Sequence, residues 1–329
     1  MTVAAAMKCY MRAAVLAGPR CIRISETEVP EPGPGELLVR VEGCGVSASN
    51  IPLWEGRSWF EYPVEPGAPG HEGWGVIETV GPGVEGFRTG ERVTYYNYHS
   101  FAEFVNVPEG VAIKIPQALD DRPFPGDPLA SAMNVFKRSD IRLGQMVAIL
   151  GTGFLGTILT ALATRAGAHV IAVSRRSFSR EIASFYGADE ALPMDDHWKI
   201  MDRVKALTSG RGCDRVIEAT GMQWPLDLAG ELSREGGRLV IAGYHQDGPR
   251  EVNLQLWNQK RLDVVNAHDR SAENFMSNIN EAIEAVTSGG LDITPLCTHG
   301  FRLEEMEAAY ELLQKRPEGF VKAIVRMHD

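Results

Sequence analysis

From Arg12 to about Pro116 short apolar runs alternate with Gly and Pro, as in Leu37-Leu38-Val39-Arg40-Val41, Gly75 to Val80 and Phe101 to Val105. Runs of this length, cut by Pro30-Glu31-Pro32-Gly33-Pro34-Gly35 and Gly81-Pro82-Gly83, predict short strands and tight turns, so the first third reads as mostly β. The texture changes at Gly144. Met146 to Leu150 predicts a buried strand, Gly151, Gly153 and Gly156 follow it, and a helical stretch runs through Ala166. His169 to Val173 predicts a second strand; a helix and further strands, Arg215 to Ala219 and Gly237 to Ala242, come after it. Strands alternating with helices call for a parallel sheet with right-handed crossovers. Beyond Leu262 to Asn266, the helical patterns Ala272 to Ser288 and Leu303 to Gln314 lead into the strand-like Val321 to Val325. An unpaired terminal strand is a poor edge, so this one is expected to pair back with the β-rich first third. The α/β unit is then an insertion, with residues 119–267 forming one domain and residues 1–118 and 268–329 the other.

Composition supports two cores: 329 residues, 44% of them hydrophobic, exceed what one core usually holds. A net charge of -10 argues against nucleic acid or an anionic membrane as partner and leaves small molecules. Cys9, Cys21, Cys44, Cys213 and Cys297 form no C-x-x-C pair, which excludes a zinc-ribbon lobe and a disulfide framework and fits a reducing cytoplasm. The least charged stretch, Met146 to Ala163, is rich in Gly and Thr and breaks at Arg165, so it reads as strand, turn and helix rather than a membrane span. Met1 to Tyr10 has no long apolar core and reads as a short extension before a folded domain beginning near Met11.

Gly151-Thr152-Gly153-Phe154-Leu155-Gly156 matches G-x-G-x-x-G directly after a buried strand and at the start of a helix. The first Gly permits the turn, the second lets backbone approach a pyrophosphate, and the third lets helix pack on strand. This is the dinucleotide fingerprint of a doubly wound Rossmann sheet, with Gly151, Gly153, Phe154, Leu155, Gly156 and Thr220 as binding candidates. The second strand ends Val173-Ser174-Arg175-Arg176-Ser177, without the carboxylate that would bind a ribose 2′-hydroxyl. Ser174, Arg175 and Arg176 are therefore expected to favour NADP(H) over NAD(H), their guanidinium groups pairing with a 2′-phosphate.

Gly70-His71-Glu72-Gly73-Trp74-Gly75-Val76-Ile77, with Gly43-Cys44-Gly45-Val46 upstream and the glycine fingerprint downstream, resembles the medium-chain dehydrogenase/reductase superfamily over nearly the whole chain. Within it the chain resembles the alcohol dehydrogenase-like branch without the structural zinc lobe, because Glu91-Arg92-Val93 runs into Phe101-Ala102-Glu103 with no room for that lobe. The resemblance implies a mostly β GroES-like catalytic domain carrying the Rossmann insertion, and a homodimer or homotetramer. It places the catalytic zinc ligands at Ser47, His71 and Glu72, with Asp127 where relatives carry a further acidic or thiol group near the metal. Ser47 departs from the family's Cys, and a neutral hydroxyl is a poor zinc ligand, so the reading favours a site without tightly bound zinc, with a metal held by His71, Glu72 and Asp127 as the open alternative. Ser49 matches the family's proton-relay hydroxyl, whose partner is replaced here by Asn50.

The expected function is hydride transfer between NADP(H) and a carbonyl or secondary alcohol of a small molecule, with Ser49, His71 and Glu72 as the catalytic set. Two alternatives remain open: zinc-free reduction of an enone or quinone, and a nicotinamide-binding protein without catalysis. Trp54 and Tyr96 are loose candidates for the pocket wall, and His268 lies after the expected last Rossmann strand.

Overall fold

The computed structural model describes residues 9–269 and 271–328. The expected N-terminal extension lies outside the described residues as far as residue 8. The chain begins with β1 (Tyr10–Gly18), β2 (Cys21–Glu28), β3 (Glu36–Gly45), α1 (Ile51–Glu55), β4 (Gly73–Val80), β5 (Arg92–Tyr95), β6 (Phe104–Pro108) and β7 (Ala112–Lys114). α2 (Gly126–Ser139) leads into β8 (Met146–Leu150), α3 (Phe154–Arg165), β9 (His169–Ser174), α4 (Ser177–Phe185), β10 (Glu190–Pro193), α5 (His197–Leu207) and β11 (Cys213–Glu218). Then come α6 (Gln223–Leu232), β12 (Ser233–Ile241), α7 (Leu254–Lys260), β13 (Asp263–Asn266) and α8 (Ala272–Thr287). The chain closes with β14 (His299–Arg302), α9 (Met306–Lys315) and β15 (Ala323–Arg326).

Two compact units result: residues 1–127, 297–316 and 322–329 in one, and residues 128–296 with 317–321 in the other. In the first, β1 and β2 form a hairpin, and the remaining strands a sheet of order β14-β15-β3-β4-β5-β7, with β6 also paired to β3. The terminal strand does return: β15 runs antiparallel to β3, with Val325 opposite Cys44. Leu37, Val39 and Val41 of β3 are fully buried while Arg40 and Glu42 are only partly so, the alternation of a strand with one face on the core.

The second unit is a six-stranded parallel sheet of order β10-β9-β8-β11-β12-β13, the doubly wound arrangement in which the strand order reverses at β8 and β11. Its core clusters around Ile149, Val170, Ile217 and Val240 on one face and Ala148, Val173, Val216 and Leu239 on the other. The units divide at Asp127 and Leu296, not at the expected 118 and 267. α8 is the reason. Phe275, Ile279, Ala282 and Ile283 form its buried face, and Lys137 of α2 donates to Asn278 and Glu281, so α8 belongs with the parallel sheet. β10 was not legible either: its four residues hold a single buried apolar side chain, Leu192, too little for a periodic signal. Among the described residues no helix is long and apolar enough to cross a membrane.

Candidate active site and cofactor cradle

β8 delivers the chain to Gly151, whose φ of +95° is left-handed backbone that glycine adopts without strain. A Cβ on Gly156 would lie 1.9 Å from the Gly151 carbonyl oxygen, so the third glycine is what lets α3 pack this closely on the turn. Gly153 differs: a Cβ there would meet nothing within 4 Å. It is the N-cap of α3, and no side chain caps the helix. Backbone amides at the positive helix end, beside open space over a glycine, are the chemistry a dinucleotide pyrophosphate needs, and the residues present fit that group. Phe154 is 7% exposed, so its side chain belongs to the core and only its backbone faces the cradle; Leu155 is half-buried. The Thr152 hydroxyl donates to the Ser179 carbonyl at 3.0 Å, tying the glycine turn to α4.

At the tip of β9 the two arginines part company. Arg175 is exposed, whereas Arg176 donates from Nη1 to the carbonyls of Phe320 (2.5 Å) and Pro317 (3.3 Å). The expectation of an equivalent pair is thereby corrected: Arg176 is spent largely on backbone and Arg175 is the available cation. Ser174 is buried. Thr220, just past β11, donates its amide (2.6 Å) and hydroxyl (2.5 Å) to Glu218, a fully buried carboxylate. Glu218 also accepts from His245 Nε2 at 2.9 Å, and Arg250 Nε donates to His245 Nδ1 at 3.0 Å, which places the imidazole proton on Nε2. This chain of hydrogen bonds fixes the Thr220 turn at the carboxyl end of the sheet.

The catalytic candidates lie in the other unit. Ser47 is the N-cap of the 3₁₀ turn Ala48–Asn50 that follows β3 and Ser49 lies within it, their hydroxyl oxygens 2.9 Å apart. Asn50 is buried and donates from Nδ2 to the Pro69 carbonyl at 3.1 Å, so it braces the loop before His71. His71 Nδ1 donates to the same carbonyl at 3.0 Å, which leaves Nε2 as the acceptor nitrogen of the ring. Trp54 is not a pocket residue: it is 2% exposed and stacks on Tyr310 with centroids 5.1 Å apart. Tyr96 is half-buried, its hydroxyl 3.3 Å from that of Tyr98, whose ring lies 5.7 Å from His71. His268, in the cofactor unit, stacks on Tyr244.

Glu72 is held in a buried ion pair. The Lys322 ammonium stands 2.7 Å from Oε1 and 2.5 Å from Oε2, and the two side chains are 7% and 1% exposed. Gly45 makes room for this pair, since a Cβ there would lie 1.9 Å from Glu72 Oε2. The nearby thiol, Cys44, is fully buried; burial pushes it well above the usual thiol range, with Glu72 acting in the same direction, so it supplies no thiolate. Among the described residues no group of three or more His, Cys, Asp and Glu side chains is placed to hold a metal ion. A serine hydroxyl bonded to another serine, an ion-paired carboxylate and a protonated thiol are poor donors for zinc, which leaves His71 Nε2 and the Asp127 carboxyl as the remaining candidate ligands.

Asp127 is pushed up to about 6 by burial, partly opposed by His71. A carboxyl raised in the folded state stabilises it fully below the unfolded value near 3.8, and that contribution is lost as pH rises through about 6. Asp127→Asn is therefore expected to raise the melting temperature at pH 7.5 and to change it little at pH 4. Thermal unfolding at the two pH values checks this; an equal shift at both would assign Asp127 a pH-independent role.

Residues 33–117 match the alcohol dehydrogenase GroES-like domain, and residues 155–288 match the zinc-binding dehydrogenase family. An alcohol dehydrogenase of Cupriavidus necator is 27% identical over 98% of this chain and 100% of its own. The L-threonine 3-dehydrogenase of Pyrococcus abyssi is 26% identical over 90% of this chain and 93% of its own. A Sinorhizobium meliloti protein solved with NADP bound superposes with a TM-score of 0.83 at 27% identity, covering 97% of this chain and 100% of that one. An Escherichia coli alcohol dehydrogenase solved with NADH superposes with a TM-score of 0.85 at 25% identity, covering 97% and 99%. Fold, glycine cradle and relatives together define an alcohol dehydrogenase-like oxidoreductase of a nicotinamide-dependent family. The chain belongs to the medium-chain dehydrogenase/reductase superfamily.

Proposed function

We propose that this protein transfers hydride between NADP(H) and a carbonyl or secondary alcohol of a small molecule, without a tightly held catalytic zinc. The observation that carries the reading is the open cradle at Gly153 and the uncapped start of α3. When bound, the nicotinamide supplies or accepts the hydride. Ser49 donates its hydroxyl proton to the developing alkoxide and is reprotonated through Ser47, 2.9 Å away and partly exposed, which takes up a proton from solvent as it passes its own on. His71, held through Nδ1, offers Nε2 to the reacting hydroxyl, and Lys322 pairs with Glu72, the next residue in the chain. A cytoplasmic homodimer or homotetramer completes the reading; β13, at one end of the parallel sheet, is an edge strand with Val264 exposed.

Two measurements bear on its separate parts. Metal analysis of the purified protein is expected to find far less than one zinc per chain, and Ser47→Cys to raise that content by adding a thiolate donor. About one tightly held zinc in the parent protein would mean that oxygen and imidazole ligands suffice. For the cofactor, Arg175→Ala is expected to weaken NADPH by about 1.5–3 kcal/mol, the range of charge-assisted hydrogen bonds, while NADH changes little. Arg176→Ala is expected to have the smaller effect, because its guanidinium is already engaged by carbonyls. Fluorescence titration separates the two, and the reverse order of effects would contradict the assignment.

A further inference from the structure

Glu318 lies 140 residues from α4 in sequence, in the short segment 317–321 that joins the cofactor unit. Its Oε2 accepts from the Phe178 amide at 3.0 Å, and it also takes hydrogen bonds from the hydroxyl and amide of Ser177. The same segment is clamped from the other side by Arg176 through the Pro317 and Phe320 carbonyls. A carboxylate thus stands at the turn between β9 and α4, the place where a doubly wound dinucleotide fold reads the 2′ substituent of the adenosine ribose. Strand-tip residues alone suggested a wholly cationic and hydroxylic site, since no acid occurs between Val173 and Ser179. The acid is supplied instead by the far end of the chain.

We propose that Glu318 is a cofactor-selecting residue: it occupies the Ser177 and Phe178 donors that a 2′-phosphate would use, and its charge opposes that phosphate while leaving a 2′-hydroxyl acceptable. The proposal rests on the cofactor reading above and modifies its consequence. Arg175 attracts the 2′-phosphate and Glu318 resists it, so the parent protein discriminates between NADPH and NADH only weakly. Glu318 is exposed, so its repulsion acts through solvent and is screened by salt.

Glu318→Gln keeps an oxygen acceptor for the Phe178 amide and removes only the charge. NADPH and NADH are titrated by cofactor fluorescence against parent, Glu318→Gln and Glu318→Asp. The expected result for Glu318→Gln is an NADPH dissociation constant lower by about fivefold or more, NADH altered by less than about twofold, and a gain that shrinks in about 0.5 M salt. Glu318→Asp keeps the charge and is expected to hold the parental ratio. An unchanged NADPH-to-NADH ratio in Glu318→Gln, or equal weakening of both, overturns the proposal while the cofactor reading stands. A parent that binds neither nucleotide overturns both.

Discussion

Gly153→Val is expected to abolish measurable binding of NADPH and NADH alike, a loss of about 100-fold or more, while the protein stays folded. The two halves of that outcome have separate grounds. Gly153 has φ of -79°, backbone open to any residue, and its Cβ position touches no protein atom within 4 Å, so the folded state itself loses nothing. The space a valine would fill is the space in front of the α3 amides, which the pyrophosphate requires. Gly156→Val makes the opposite control: its Cβ would strike the Gly151 carbonyl at 1.9 Å, so it is expected to damage folding as well as binding. Cofactor titration with circular dichroism on the same samples separates the two. A Gly153→Val protein that binds NADPH normally would move the phosphate site elsewhere.

Lys322→Met carries the second large effect, on stability. Glu72 and Lys322 are buried together, and removing one member of such a pair typically costs about 3–5 kcal/mol because the other charge is left in a poorly polarisable surrounding. The double variant Glu72→Gln, Lys322→Met is expected to recover part of that loss, since no buried charge remains. Trp54, Trp59 and Trp74 lie in this unit and Trp198, Trp224 and Trp257 in the other, so urea unfolding followed by tryptophan fluorescence reports on both, and the loss is read from the transition that Lys322→Met shifts. A loss below about 1 kcal/mol in the single variant would show that water reaches Glu72.

The fold was legible because its signals are local and repeated: the apolar runs at Met146 to Leu150 and Val170 to Val173, the glycines between strand and helix, and the Gly and Pro turns of the first third. The site was legible only as far as motifs reach. His71, Glu72 and the glycine turn sit inside recognisable runs, but what each side chain bonds to depends on residues distant in sequence. Lys322 is 250 residues from Glu72, and its one signal was a lysine within the otherwise apolar Val321 to Val325. Glu218 left a similar trace, an acid closing the strand Arg215-Val216-Ile217, and His245 and Arg250 left none. Arg175 and Arg176 read as one cationic pair because sequence cannot tell which guanidinium the fold will occupy; the Pro317 and Phe320 carbonyls made that choice. The boundary near Leu296 was misplaced for a related reason, since an amphipathic helix such as α8 shows that it has a buried face but not which sheet receives it.

Isotope transfer decides whether hydride reaches a carbonyl carbon at a site that does not depend on zinc. Chelator-treated protein is incubated with NADPH deuterated at nicotinamide C4 and a panel of aldehydes, ketones and enones, and the products are examined for the position of the label. The account predicts deuterium on the carbinol carbon of an alcohol product, at a rate unchanged by the chelator. Deuterium on the β-carbon of a saturated ketone would assign the protein to double-bond reduction, and a carbinol label that disappears on chelation and returns with added zinc would contradict the metal-free site.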